Sequence, residues 1–136
     1  MIARWEQMCR KLTALAEEIP ANKFEYRPTE GVRTFDEVLR HVAFWNGYVA
    51  DLALGKKGDD TANEMPKDRC STKAQVIDAL KTSAARALVA LKKNPSGLSL
   101  QTAETVVTFI EHNSEHYGQL VVYARLNEIV PPASRG

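Results

Sequence analysis

The chain reads as an all-α protein, a four-helix bundle with a long crossover loop between its second and third helices, and three features point there. Apolar residues recur every three or four positions over four separate stretches. Threonine caps open the second and third of them. No stretch alternates apolar and polar residues in the manner of a strand. At 136 residues, the chain is expected to form one domain over residues 1–136, with a sizeable core.

The first stretch places Ile2, Trp5, Cys9, Leu12, Ala16 and Ile19 on one helical face, and Pro20 ends it. The connection PANKFEYRPTEGVR follows, broken by prolines and a glycine. Thr34-Phe35-Asp36-Glu37 is a capping box: the threonine oxygen can accept an early backbone N–H while the glutamate reaches back. The second helix starts there, with a stripe of Phe35, Val38, Val42, Trp45, Val49 and Leu52, and Gly55 is its natural stop. From Gly55 to Ser71 the chain reads GKKGDDTANEMPKDRCS, polar and long for a connection. A segment of this length can run back along the bundle, so that the second and third helices lie parallel; a lid over a site is a compatible role. Thr72 to Gln75 repeats the capping pattern and opens the third helix, whose expected inward face is Ile77, Leu80, Ala84, Leu88 and Leu91. Asn94-Pro95-Ser96-Gly97 closes it. The fourth helix is expected from about Thr102 to Asn127, with Val106, Phe109, Ile110, Leu120 and Tyr123 periodic and Pro131-Pro132 beyond its end.

Composition narrows the function. The chain is 44% hydrophobic and 26% charged with a formal net charge of +1, a balance that gives no general pull toward nucleic acid or anionic membrane. The doublets Lys56-Lys57 and Lys92-Lys93 read as solvated surface. No apolar run approaches membrane-spanning length, and the amphipathic start MIARWEQMCRKL lacks the apolar core of a secretory signal, so the expected location is cytoplasmic. Cys9 and Cys70 are isolated, and in a reducing compartment they are expected to be free thiols.

The histidines carry the functional signal. Residues four apart on a helix differ by about 40° around the axis, so His112 and His116 can offer two imidazoles to one ion. His41 lies beside the stripe of the second helix, near Val38, Trp45 and Tyr48, so every histidine of the chain falls on a core-facing side of two helices able to pack together. Burying three imidazoles is unfavourable unless their nitrogens find partners, and one divalent cation would satisfy three of them at once. The plainer alternative is a set of core histidines bonded to carbonyls or carboxylates. HNSEH also matches the H-x-x-E-H pattern of one class of zinc peptidases. Those enzymes take a third, usually acidic, ligand from well downstream, where this chain has only Glu128, and Glu115 is about 100° around the helix from His116. The pattern therefore does not make the chain a peptidase.

LRHVAFWN in the second helix, EIPANKFEYRPTEGVRTF before it and EHNSEHYGQLVVYARLNEIVPP at the C-terminal end together resemble the DinB-like (DNA-damage-inducible) proteins. The most specific part is H-x-x-x-H-x-G-Q-L, continued by Y-x-R-L. The resemblance covers nearly the whole chain and implies a bacterial-type four-helix bundle with a three-histidine metal site, His41, His112 and His116 matching the ligands. Zinc or nickel would be the occupant. Three neutral imidazoles would leave an open coordination position, as in catalytic zinc sites. Relatives in the family include enzymes that use a low-molecular-weight thiol, which implies a metal-dependent transferase or hydrolase acting on a small molecule. The alternative is a non-enzymatic helical or protein-interaction module whose metal is structural or absent. Family members are commonly homodimers, and the run Leu120 to Ala124 could serve such an interface. Glu37, Glu111, Glu115 and Gln119 are the candidate partners for the second nitrogen of each ring.

Overall fold

The computed structural model describes residues 1–136. Its helices are α1 (Ile2–Glu18), α2 (Phe35–Ala53), α3 (Lys73–Lys93) and α4 (Leu100–Leu126), with single 3-10 turns at Ala21–Lys23 and Pro132–Ser134 and no strand. Both expected capping boxes form: Thr34 accepts from Glu37 N–H and Thr72 from Gln75 N–H, with the glutamate and glutamine reaching back. α4 starts two residues earlier than the apolar pattern suggests. Ser99 supplies the cap, its hydroxyl accepting from the Thr102 N–H at 3.1 Å, and the polar first turn is held by this bond without apolar burial.

Side-chain contacts set the direction of each helix. Arg86 pairs with Asp51, and Asn46 donates to Ser83 at 3.4 Å, so α2 and α3 run parallel. Lys73 at the start of α3 donates to the Glu17 and Ile19 carbonyls at the end of α1, while Trp5 donates to the Ala84 carbonyl, which makes α1 antiparallel to α3. α4 runs antiparallel to α2, with Phe109 beside Tyr48 and His112 beside His41. Two parallel pairs thus face each other.

The parallel arrangement of α2 and α3 requires the connection between them to retrace the bundle, and it does. Gly58 lies against the Tyr48 ring, so closely that a Cβ there would come 2.3 Å from Tyr48 Cδ2. Farther along, the Met65 N–H donates to the Arg40 carbonyl at 3.2 Å, Lys67 pairs with Glu25, and Cys70 is buried in the lower core. The crossover therefore descends the outer side of α2 from its last turn to its first. No helix is long and apolar enough to cross a membrane.

The core falls into two clusters. Leu12, Leu15, Phe35, Leu39, Leu80, Leu120 and Tyr123 are among the residues filling the lower one, and Trp5, Val49, Ala87, Leu91 and Val106 belong to the upper one. Each leucine and valine among them, and Phe35, contributes about 1.5–3 kcal/mol by leaving water. On α3 the buried line runs through Val76, Leu80, Ala84, Ala87 and Leu91, so that Ile77 and Leu88, expected on the inward face, sit at its flanks and are only partly buried. Small alanines face inward because α3 packs tightly on α2. Between the clusters lies a polar layer: Asn46 and Asn113 are both buried, and Asn113 donates its amide to the Asn46 oxygen at 3.1 Å.

Candidate metal centre

His41 enters the site from the middle of α2, while His112 and His116 come from consecutive turns of α4. The antiparallel packing of α2 on α4 brings the three together. Ring centroids lie 4.9 Å (His41 to His112), 4.8 Å (His41 to His116) and 4.5 Å (His112 to His116) apart. One potential ligand nitrogen from each ring lies within 4.8 Å of the others, so the trio could hold one ion. The sequence-predicted residues His41, His112 and His116 are thus all brought to one place. His41 is the most enclosed, at 6% exposure, and the two α4 histidines are partly buried.

Every ring uses its Nδ1 on an oxygen. His41 Nδ1 donates to the backbone carbonyl of Asn63 at 2.5 Å. His112 Nδ1 lies 3.3 Å from the Asn113 side-chain oxygen, and His116 Nδ1 lies 2.9 Å from the Gln119 side-chain oxygen. A carbonyl only accepts, so His41 Nδ1 carries the proton and its Nε2 is a bare lone pair. That Nε2 faces His112 Nε2 at 2.8 Å. Two nitrogens each about 2.0–2.1 Å from one tetrahedral zinc would sit about 3.3 Å apart, so this pair would open by about half an ångström around an ion, while the widest separation among the three nitrogens would have to close.

The surroundings keep His41 and His112 neutral and therefore able to donate to a cation. Burial pushes the His41 pKa down from 6.5 to about 4, against the opposing pull of the Asn63 carbonyl, and the Arg33 guanidinium adds to the depression. Burial likewise takes His112 down to about 4, with His116, His41 and Arg33 acting in the same direction and the bond to Asn113 opposing. No carboxylate acts on either ring, and Arg33 enters no ion pair. One side of the site is an aromatic wall: Trp45 stacks on Phe109 with centroids 5.4 Å apart, Phe109 meets His112 edge-on at 5.5 Å, and Trp45 Nε1 donates to the Asn63 side chain at 2.9 Å. The crossover thus touches the site through both polar groups of Asn63.

Among the expected second partners, Gln119 takes that position for His116. The three glutamates do not. Glu37 is occupied in its capping box, accepting the Thr34 N–H at 2.8 Å, and Glu111 and Glu115 are exposed to solvent, where carboxylates stay hydrated. Asn63 and Asn113 were not legible as partners from ligand spacing. For Asn113 a signal existed: it falls midway in the seven-residue spacing of Val106 and Leu120, an amide on an apolar stripe. For Asn63 none did, because a backbone carbonyl carries no residue identity.

A groove of about 510 Å³ between α1 and α3, over Trp5, Cys9 and Ala84, is lined by no histidine. A second hollow of about 470 Å³ is bounded by α2, α3 and the crossover, where Glu64 and Met65, next in the chain to Asn63, line it. Neither hollow contains the histidine cluster, so ring geometry and not cavity size identifies the centre.

The family model for the DinB superfamily matches residues 4–120, a span that contains all three histidines, and the chain belongs to that superfamily. No curated protein matches the chain.

Proposed function

We propose that this member of the DinB superfamily binds one divalent metal ion, zinc or nickel, through Nε2 of His41, His112 and His116, and that the open position of that ion serves a metal-dependent transferase or hydrolase reaction on a small molecule. The observation that supports this most directly is the convergence of ring nitrogens whose Nδ1 partners are all oxygens. An ion held there would supply Lewis acidity at its remaining position, lowering the pKa of a thiol or a water that binds it. The chain's own residues do the rest. Neutral imidazoles leave the ion's charge uncompensated, and the unpaired Arg33 adds to it, so an anionic ligand such as a low-molecular-weight thiolate is favoured at the open position. The Trp45, Tyr48 and Phe109 wall excludes water from one side. A cytoplasmic setting, where such thiols are abundant, suits this reading.

A homodimer is part of the same proposal, with a changed basis. Leu120, Tyr123 and Ala124 are used in the chain's own core, which leaves Val122 and Leu126, four apart and both more than half exposed, as the apolar surface that the C-terminal half of α4 offers a second copy.

The competing reading is a helical module without a metal, favoured by one number. The 2.8 Å between His41 and His112 Nε2 also suits a direct ring-to-ring hydrogen bond. Elemental analysis of protein purified without a histidine tag separates the two. One equivalent of zinc or nickel per chain is the expected result, and an added thiol should perturb the visible spectrum of the cobalt-substituted form. A chain that retains no metal after dialysis against a micromolar supply is the competing module. Stoichiometric cobalt whose spectrum ignores thiols and anions would make the ion structural.

A further inference from the structure

His116 does not end at Gln119. Gln119 Nε2 donates to the Tyr123 hydroxyl at 2.9 Å, and that hydroxyl donates to the backbone carbonyl of Arg33 at 2.7 Å. The three residues of α4 lie one turn apart, and the chain they form ends on the segment that leads into α2. Its direction is fixed from the far end. The Arg33 carbonyl can only accept, no backbone N–H reaches it, and Tyr123 is buried, so the phenol proton must point to Arg33. The lone pair of the hydroxyl then faces Gln119, and the group of Gln119 that meets it must be the NH2. The amide oxygen consequently faces His116, whose Nδ1 must carry a proton, and its Nε2 is left bare. An amide orientation and a ring tautomer that are ordinarily matters of assignment are determined here by one anchored carbonyl.

We propose that Gln119 and Tyr123 are positioning residues, a one-way hydrogen-bond chain that holds His116 in the Nδ1–H tautomer with Nε2 free toward His41 and His112. The inference rests on the metal reading for its purpose but not for its test. Without the Tyr123 hydroxyl, the Gln119 amide loses the acceptor that orients it and can turn over. Its NH2 would then face Nδ1, which must accept, and the proton would move to Nε2, where it blocks ligation. Gln119 and Tyr123 are the glutamine and tyrosine of the continued motif H-x-x-x-H-x-G-Q-L-x-x-Y, and the chain gives that spacing a physical reason: 116, 119 and 123 share one face of a helix.

The test uses the full chain labelled with nitrogen-15 and freed of metal, with long-range proton–nitrogen correlation of the imidazoles at a pH where the rings are neutral. In the wild type, His116 shows a protonated Nδ1 and a bare Nε2. Tyr123→Phe and Gln119→Leu give a mixture containing the Nε2–H form, while Gln119→Glu, whose carboxylate can only accept, keeps the wild-type pattern. His41, bonded directly to a backbone carbonyl, is unchanged throughout and serves as the internal control. Zinc affinity falls about tenfold or more in the Phe and Leu variants and is retained in the Glu variant. Gln119 is only partly buried, so Gln119→Leu carries the test should Tyr123→Phe fold poorly. An Nε2–H tautomer in the wild type, an unchanged tautomer in Gln119→Leu, or a changed tautomer with unchanged zinc affinity overturns the proposal. A wild type that binds no zinc removes the metal reading instead, and the tautomers then decide the chain by themselves.

Discussion

Acidification of the metal-free protein should unfold it through two buried rings. His41 and His112 are held near pKa 4 in the folded chain against 6.5 for a solvated imidazole, mainly because burial penalises their charged forms. The unfolded chain therefore binds protons that the folded chain refuses. Stability from these groups is fully present above pH 6.5 and is lost as the pH falls toward 4. A displacement of about 2.5 units at about 1.4 kcal/mol per unit sets an upper bound of about 3.5 kcal/mol per ring; both rings keep some contact with solvent, whose screening reduces this to about 1–2 kcal/mol each, still a sizeable share of the 5–15 kcal/mol typical of a domain. Urea denaturation with a chelator present, followed by tryptophan fluorescence across that pH range, measures it. Carboxylates titrate in the same range, so the decisive comparison is with the double variant His41→Leu, His112→Leu, in which the steep limb should disappear. Parallel profiles for the wild type and the double variant would refute the account of buried neutral rings. With zinc present, the wild type should gain stability at neutral pH and lose that gain on acidification, since protons and metal compete for the same nitrogens.

Replacing His112 or His116 with alanine should abolish tight metal binding, measured by equilibrium dialysis, whereas Glu115→Ala should leave it intact because that carboxylate is exposed and bonds to no ring. Asn46→Ala removes the acceptor of the buried Asn113 amide and should cost about 1–3 kcal/mol in urea denaturation; a neutral result would mean that the polar layer is hydrated. Gly58→Ala forces the crossover off the Tyr48 ring and should accelerate proteolysis of the Gly55–Ser71 segment, an effect absent if the loop packs elsewhere. Cys9 is buried with its thiol pushed up to about 12, so alkylation in the native protein should be slow and should accelerate sharply in denaturant.

Much of this was legible in the letters. Thr34 with Glu37 and Thr72 with Gln75 announce two helix starts because capping is local chemistry, settled within four residues. The crossover was legible from length and polarity alone, since parallel neighbours need a connection as long as a helix. The start of α4 was less so: Ser99 caps it through one hydroxyl, with no glutamate or glutamine at the third position to complete the signature. The inward face of α3 was displaced for a related reason. Periodicity favours the large residues Ile77 and Leu88, whereas close packing on α2 selects the smaller Val76 and Ala87 beside them.

For the site, the sequence by itself determined which residue types are available and how they are spaced along each helix: three imidazoles, two of them a helical turn apart. Covalent order and the pitch of the helix suffice for that. Only the tertiary structure decided that His41 meets the other two, because the distance between helices depends on the packing of every side chain between them. It also set which nitrogens of His41 and His116 face an acceptor. That choice belongs to the acceptors opposite, and two of the anchoring ones, the carbonyls of Asn63 and Arg33, are backbone atoms that every residue possesses and that only a fold can aim.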